Sequence, residues 1–97
     1  MMNQALFQAL ADPTRREILR ILRAGSRSAG EIAENFSISK ASLSHHFGLL
    51  KRAQLVRTER RGQHIVYSLD TTVMQDAAAI LFELLDPAGV AGQEKKS

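Results

Sequence analysis

Apolar residues recur along this chain in two different rhythms, and the change of rhythm divides it. From the N-terminus to about residue 53 the spacing is helical. Leu6 and Leu10 are four apart, with Phe7 beside them, which predicts a short helix over about 3–10. Asp12-Pro13 then offers a capping acid followed by proline at the first helical position, where the missing N–H costs nothing. Ile18, Leu19 and Leu22 form the buried face of that second helix, with Ile21 on its flank and Arg15, Arg16, Arg20 and Arg23 mostly off it. Gly25 is placed to end it.

Ser28 and Glu31 have the spacing of a capping box, and they open a short helix whose Ile32, Ala33 and Phe36 can face a core. The stretch SISK reads as a turn, and Ser39 caps a further helix reaching about Ala53. On that helix Leu43, Phe47 and Leu50 share one face, so His45 lies nearly opposite it and His46 at its edge. Two short helices joined by a tight turn predict a helix-turn-helix.

The rhythm then becomes two. Ile65, Tyr67 and Leu69 alternate with His64, Val66 and Ser68, which predicts a strand. It pairs with a strand over 56–59 across a turn of Arg60, Arg61, Gly62 and Gln63, giving a two-stranded wing. A last helix over about 72–85, with Thr72 and Gln75 as a second capping box, carries two apolar stripes. Val73, Ala77, Ile80 and Leu84 make one, and Met74, Ala78, Leu81 and Leu85 the other. A single domain covers only one of them, so the helix is broader than a monomer needs. The predicted fold is mainly α with a small β-hairpin, a winged helix-turn-helix over 1–86. A polar tail, 87–97, begins at Pro87 and is expected to be disordered.

Composition narrows the function. A chain of 97 residues is one domain with a small core. It has no cysteine, which excludes disulfides and thiolate metal sites. No segment is long and apolar enough to cross a membrane, and the N-terminus lacks the pattern of a signal peptide. No phosphate-cradling glycine loop, nucleophile elbow or paired-carboxylate motif is present, so an enzyme is not expected.

The net charge of +3 is unevenly spread. Lys40, Lys51, Arg52, Arg57, Arg60 and Arg61 face only Glu59 over residues 40–61, while residues 62–94 carry acids and no Lys or Arg. Such a block suits a polyanion. The start of the helix after Ser39 presents Ser39, Lys40, Ser42, Ser44 and His45, small or polar groups able to approach a major groove. Lys51 and Arg52 can reach backbone phosphates, and Arg57, Arg60 and Arg61 can reach phosphates or an adjacent minor groove. Taken singly, each serine is as well explained by a cap or by solvent. The adjacent histidines invite a metal reading, but they are about 100° apart on a helix and cannot face one ion together. No metal and no cofactor are expected.

The order DPTRREILRIL, AGEIAENFSISKASLSHHFGLLKRAQLV and RRGQHIVYSL resembles the ArsR-type family of bacterial winged-helix repressors over about residues 5–85, nearest to its autorepressor branch, which does not sense metal. The resemblance implies a cytoplasmic homodimer joined through the first and last helices, here Leu6, Leu10, Val73, Ala77, Ile80, Leu81 and Leu84. It also implies repression from a palindromic operator in double-stranded DNA, including the chain's own promoter. Metal-sensing members carry cysteines before the recognition helix or histidines on the last helix. Here those stretches read SAGEIAENF and TTVMQDAAAILFELL, and neither has them. Two rival readings remain: a sensor-repressor with a small-molecule site at the dimer interface, and a winged-helix module that binds protein.

Overall fold

A computed structural model describes residues 4–85. The order is α1 (Gln4–Leu10), α2 (Pro13–Arg23), β1 (Arg27–Ser28), α3 (Ala29–Ala33), α4 (Lys40–Arg52), β2 (Val56–Arg61), β3 (His64–Leu69) and α5 (Thr71–Leu85). The chain is a winged helix-turn-helix, mostly helical with one small antiparallel sheet.

Local chemistry sets the boundaries. Asp12 accepts hydrogen bonds from the backbone N–H of Thr14 (2.8 Å) and Arg15 (3.1 Å), satisfying donors that the first turn of α2 cannot pair internally. Gly25, just past the cap residue Ala24, takes φ +143°, which a residue with a Cβ rarely adopts. Ser28 and Glu31 close the expected capping box, the Ser28 hydroxyl accepting from Glu31 N–H (3.1 Å) and the Glu31 carboxylate from Ser28 N–H (2.8 Å). Ser39 accepts from Ser42 N–H at 3.0 Å and opens α4.

The sheet differs from the expected hairpin. It has three strands in the order β1-β3-β2, because Arg27 and Ser28 pair with Tyr67 and Val66. A two-residue strand has no periodicity to read. The β2–β3 ladder is longer than expected, running from Val56↔Leu69 to Arg61↔His64. Arg60 and Arg61 are therefore strand residues, and the turn is Gly62-Gln63 alone, with Gly62 at φ 63°. The last helix starts one residue earlier than expected. Its cap is Asp70, whose carboxylate accepts from Val73 N–H at 3.2 Å, and not Thr72.

The core gathers Ile18, Leu19 and Leu22 of α2, Ile32 of α3, Leu43, Phe47 and Leu50 of α4, and Leu55, Val56 and Tyr67 of the sheet. Phe47 and Tyr67 stack with ring centroids 4.4 Å apart, fixing the wing against α4. Of the expected interface set, Leu6 and Ala77 are buried in the protomer's own core, and Leu10 and Val73 pack against it. Ile80 and Leu81 are half-buried, and Leu84 is 70% exposed. Phe7 and Phe82, outside that set, are 51% and 67% exposed. The expected tail, 87–97, lies outside the described residues.

Candidate nucleic-acid interface

Burying Leu43, Phe47 and Leu50 turns the opposite face of α4 outward. Lys40, Ser44 and His45 are exposed on it, and Lys51 and Arg52 are exposed at its far end. Ser39 is committed to its cap through its hydroxyl, and Ser42 is half-buried. The open face at the start of α4 therefore rests chiefly on Lys40, Ser44 and His45. The wing adds Arg57, Arg60 and Arg61, all exposed. Arg61 also forms an ion pair with Glu59 at 3.1 Å, both side chains more than half exposed. The side chains of Arg57 and Arg60 have no ion-pair or hydrogen-bond partner among the described residues. Arg27, absent from the expected set, borders one cleft with Arg61 and His64, brought there by the short β1.

Arg15 is the residue that sequence reasoning placed wrongly. It was expected mostly off the apolar face, yet it is 7% exposed. Its Nε donates to the Ala9 carbonyl (3.0 Å), one terminal nitrogen to the Gln8 carbonyl (2.8 Å), and the other contacts His46 Nδ1 at 2.9 Å. Arg16 donates to the Leu10 carbonyl at 2.9 Å. The last three carbonyls of α1, which lack partners within a helix, thus receive guanidinium donors from α2. A signal for this existed: Arg15 stands three, four and seven residues before Ile18, Leu19 and Leu22, on the same stripe.

This arrangement fixes the state of His46. A guanidinium only donates, so Nδ1 accepts and the ring is neutral with its proton on Nε2. Asp12 Oδ2 lies 3.7 Å from the same nitrogen, beyond hydrogen-bond reach. Burial pushes the His46 pKa below its ordinary 6.5, helped by the positive charge of Arg15 and by His45 and opposed by Asp12. For Asp12, partial burial is the largest single influence and works against its charge, but the backbone N–H groups of Arg15 and Thr14, together with the neighbouring His46 and the Arg15 guanidinium, outweigh it, and the net effect is a lowered pKa.

The consequence for stability has a definite sign. His46 binds its proton more readily when unfolded, so stability is complete above pH 6.5 and falls as pH drops below that value. Asp12 acts only lower, its contribution being lost as pH falls below 3.8. Denaturant melts of the native chain between pH 7.5 and 5 should show this fall. His46→Gln, which keeps an acceptor for Arg15 and does not titrate, should flatten it. An equal slope in the variant would place the titration elsewhere.

His45 is exposed, and its ring sits 6.0 Å from that of His46 at a 56° tilt. His46 Nδ1 is held by Arg15, whereas His45 faces solvent. Among the described residues no group of three or more His, Asp or Glu is placed to hold a metal.

Two helices joined by a turn, the second exposing polar and basic groups beside an arginine-bearing hairpin, define a winged helix-turn-helix regulator that binds DNA. A family model described as a helix-turn-helix domain matches residues 10–59. The chain is 54% identical over 72 residues to the transcriptional repressor SdpR of Bacillus subtilis (strain 168), covering 74% of this chain and 80% of that protein. It is 32% identical over 79 residues to the transcriptional activator HlyU of Vibrio cholerae, covering 81% and 73%. A crystal structure described as an ArsR family transcriptional regulator superposes with a TM-score of 0.77 at 31% identity, over 82% of this chain and 88% of that one. The chain belongs to the ArsR family of transcriptional regulators.

Proposed function

We propose that the chain is a homodimeric repressor of transcription that binds a palindromic operator, its own promoter included. The observation that carries this reading is the exposed face of α4 and the wing, where Lys40, Lys51, Arg52, Arg57 and Arg60 make no ion pair among the described residues. Similarity to a named repressor over most of its length supports repression. The start of α4 enters the major groove, Lys51 and Arg52 meet backbone phosphates, and Arg57, Arg60 and Arg61 follow the flanking backbone or minor groove. A dimer is supported by Phe7 of α1 and by Phe82, Leu84 and Leu85 of α5, large apolar side chains left in water by the lone protomer. Its ligand being DNA, the protein works in the cytoplasm, and the fold is given no enzymatic role. No described helix is long and apolar enough to cross a membrane.

Titrating the protein onto labelled DNA from its own upstream region, beside an unrelated duplex, tests the reading. Specific binding that two symmetric half-sites are needed to hold is expected. Failure to distinguish the two duplexes would return the fold to the protein-binding alternative.

Two residue-level outcomes follow. Affinity should fall with salt at a log–log slope of about −0.9 per phosphate neutralised. Arg60→Ala should weaken binding and flatten that slope. Arg61→Ala should do so less, because Glu59 already offsets that charge. Unchanged titrations for both would remove the wing from the interface. His45→Ala should leave the melting temperature within about two degrees and cost about 1–3 kcal/mol of specific binding if the ring reads a base edge. Binding as tight as wild type would take His45 out of the groove.

A further inference from the structure

Between α3, the start of α4 and β3 lies a cavity of about 360 Å³. Leu43, Phe47 and Ile65 give it an apolar lining, and α3 meets it with the small residues Ala29, Gly30 and Ala33. Its polar groups are few. Lys40 is its one charged residue, Ser44 lines it beside Lys40, and neither side chain has a hydrogen-bond or ion-pair partner among the described residues. Tyr67 lines it too and is 6% exposed, yet its hydroxyl has no hydrogen-bond partner among the described residues. Among the described residues no buried side-chain oxygen or nitrogen is left unpaired, so this hydroxyl retains a path to solvent although the rest of the residue is enclosed. Burial pushes the Tyr67 pKa up, so the group stays a donor at neutral pH.

An apolar lining with a few converging donors and one cation has the character of a small-molecule site. DNA phosphates can use Lys40, but they have no use for the apolar surface behind it. We propose that this cavity binds a small monocarboxylic acid with a branched or alicyclic body. The hydrocarbon packs on Leu43, Phe47 and Ile65, and the carboxylate accepts from the Lys40 ammonium and the Ser44 hydroxyl. Tyr67 is the further donor on the sheet side. A neutral ligand would leave the ammonium unpaired, and an amine would meet like charge. For its regulatory consequence alone, the inference rests on the start of α4 being a DNA surface. Lys40 and Ser44 cannot serve carboxylate and DNA at once, so acid and operator weaken each other's binding to the same degree.

Tyr67 is the only tyrosine and there is no tryptophan, so the protein's intrinsic emission reports from the cavity wall. Cyclohexanecarboxylate, which does not absorb in that range, is titrated into the full chain without DNA, with cyclohexylmethanol as its uncharged counterpart. A saturable change in emission is expected for the acid, with the alcohol severalfold weaker. Lys40→Met, an exposed substitution that leaves the core intact, should bring the acid down to the level of the alcohol. Ala33→Leu, which fills the cavity away from the DNA-facing residues, should weaken both while circular dichroism is unchanged. Absence of a saturable change, equal affinity for acid and alcohol, or indifference to Lys40→Met overturns the proposal. The operator titration is then repeated at saturating acid, where a severalfold loss of affinity is expected. Acid binding without that loss leaves the cavity assigned and removes the start of α4 from the DNA surface. Operator binding that depends on Lys40 in a chain that takes no acid keeps the DNA reading and ends this one.

Discussion

Leu84→Lys is expected to yield a folded monomer that no longer holds operator DNA. Leu84 is 70% exposed in the protomer, so the change removes no core contact, and circular dichroism should match the native chain. In a symmetric dimer each substitution acts twice, because the same patch faces itself or its neighbour across the two-fold axis. Burying a leucine contributes about 1.5–3 kcal/mol, and placing an ammonium at that point costs more. Once the protomers part, each half-site is bound alone and the gain from linkage, about 10²- to 10⁴-fold, disappears. Sedimentation at micromolar concentration and anisotropy on the operator measure the two effects. A variant that stays dimeric would move the interface away from the end of α5. Ile80→Lys is the poorer probe, since Ile80 is half-buried within the protomer and its loss confounds folding with assembly.

Arg15→Ala should be the most damaging single change to the protomer itself. It removes the guanidinium donors from the Gln8 and Ala9 carbonyls and the partner of His46 Nδ1. The Ala9 carbonyl and His46 Nδ1 are left unpaired in a largely buried place, while Gln8 keeps only the Ala11 N–H at 3.2 Å. A hydrogen bond from a charged group contributes about 1.5–3 kcal/mol, and the three act partly as a unit, so a loss of about 3–4 kcal/mol is expected. In a domain of this size that lowers the melting temperature by about 12–32 °C. Arg15→Lys should recover little, because one ammonium cannot span the three acceptors that the planar guanidinium reaches. Arg16→Ala, which loses a single exposed bond to Leu10, is the control and should stay within about 1 kcal/mol. Equal melts for Arg15→Ala and Arg16→Ala would show that α1 is held by its apolar contacts alone.

The contrast between Arg15 and its surroundings shows what the sequence conveys and what it hides. Caps are legible because they act over three or four residues: Asp12, Ser28 with Glu31, and Ser39 each mark a helix start without reference to the rest of the chain. The α4 face is legible for the same reason, as Leu43, Phe47 and Leu50 leave only one way to turn His45. Arg15 is harder, since a charge on an apolar stripe becomes reasonable only when the ends of other elements supply its acceptors. Two of the three acceptors are backbone carbonyls, which carry no residue identity to read, and the third, His46, lies thirty-one residues away. The β1 strand is hidden because its partner lies about forty residues away and its own length is two. Thr72 and Asp70 are both good caps, and only the end of β3 at Leu69 decides for Asp70. The apolar stripes of α5 show that a second surface exists. Which stripe faces its own core depends on the docking of the whole helix, which is why Ala77 turns inward while Ala78 stays in water.

Ser28 ends β1 and also caps α3. The same residue that hydrogen-bonds the sheet therefore starts the helix-turn-helix, with no connecting residue to bend. The Ser26 and Ser68 hydroxyls, 2.6 Å apart, fasten the strand again one step earlier. Hairpin and α3, the first helix of the helix-turn-helix, are thereby mounted on one bracket. The protein is then a ruler as well as a reader. In the proposed complex the offset between bases met by α4 and backbone met by the wing would be set within the protomer, and DNA would bend or twist to meet it. Insertion of a single base pair between those two contacts in each half-site should be penalised even where every contacted base is kept.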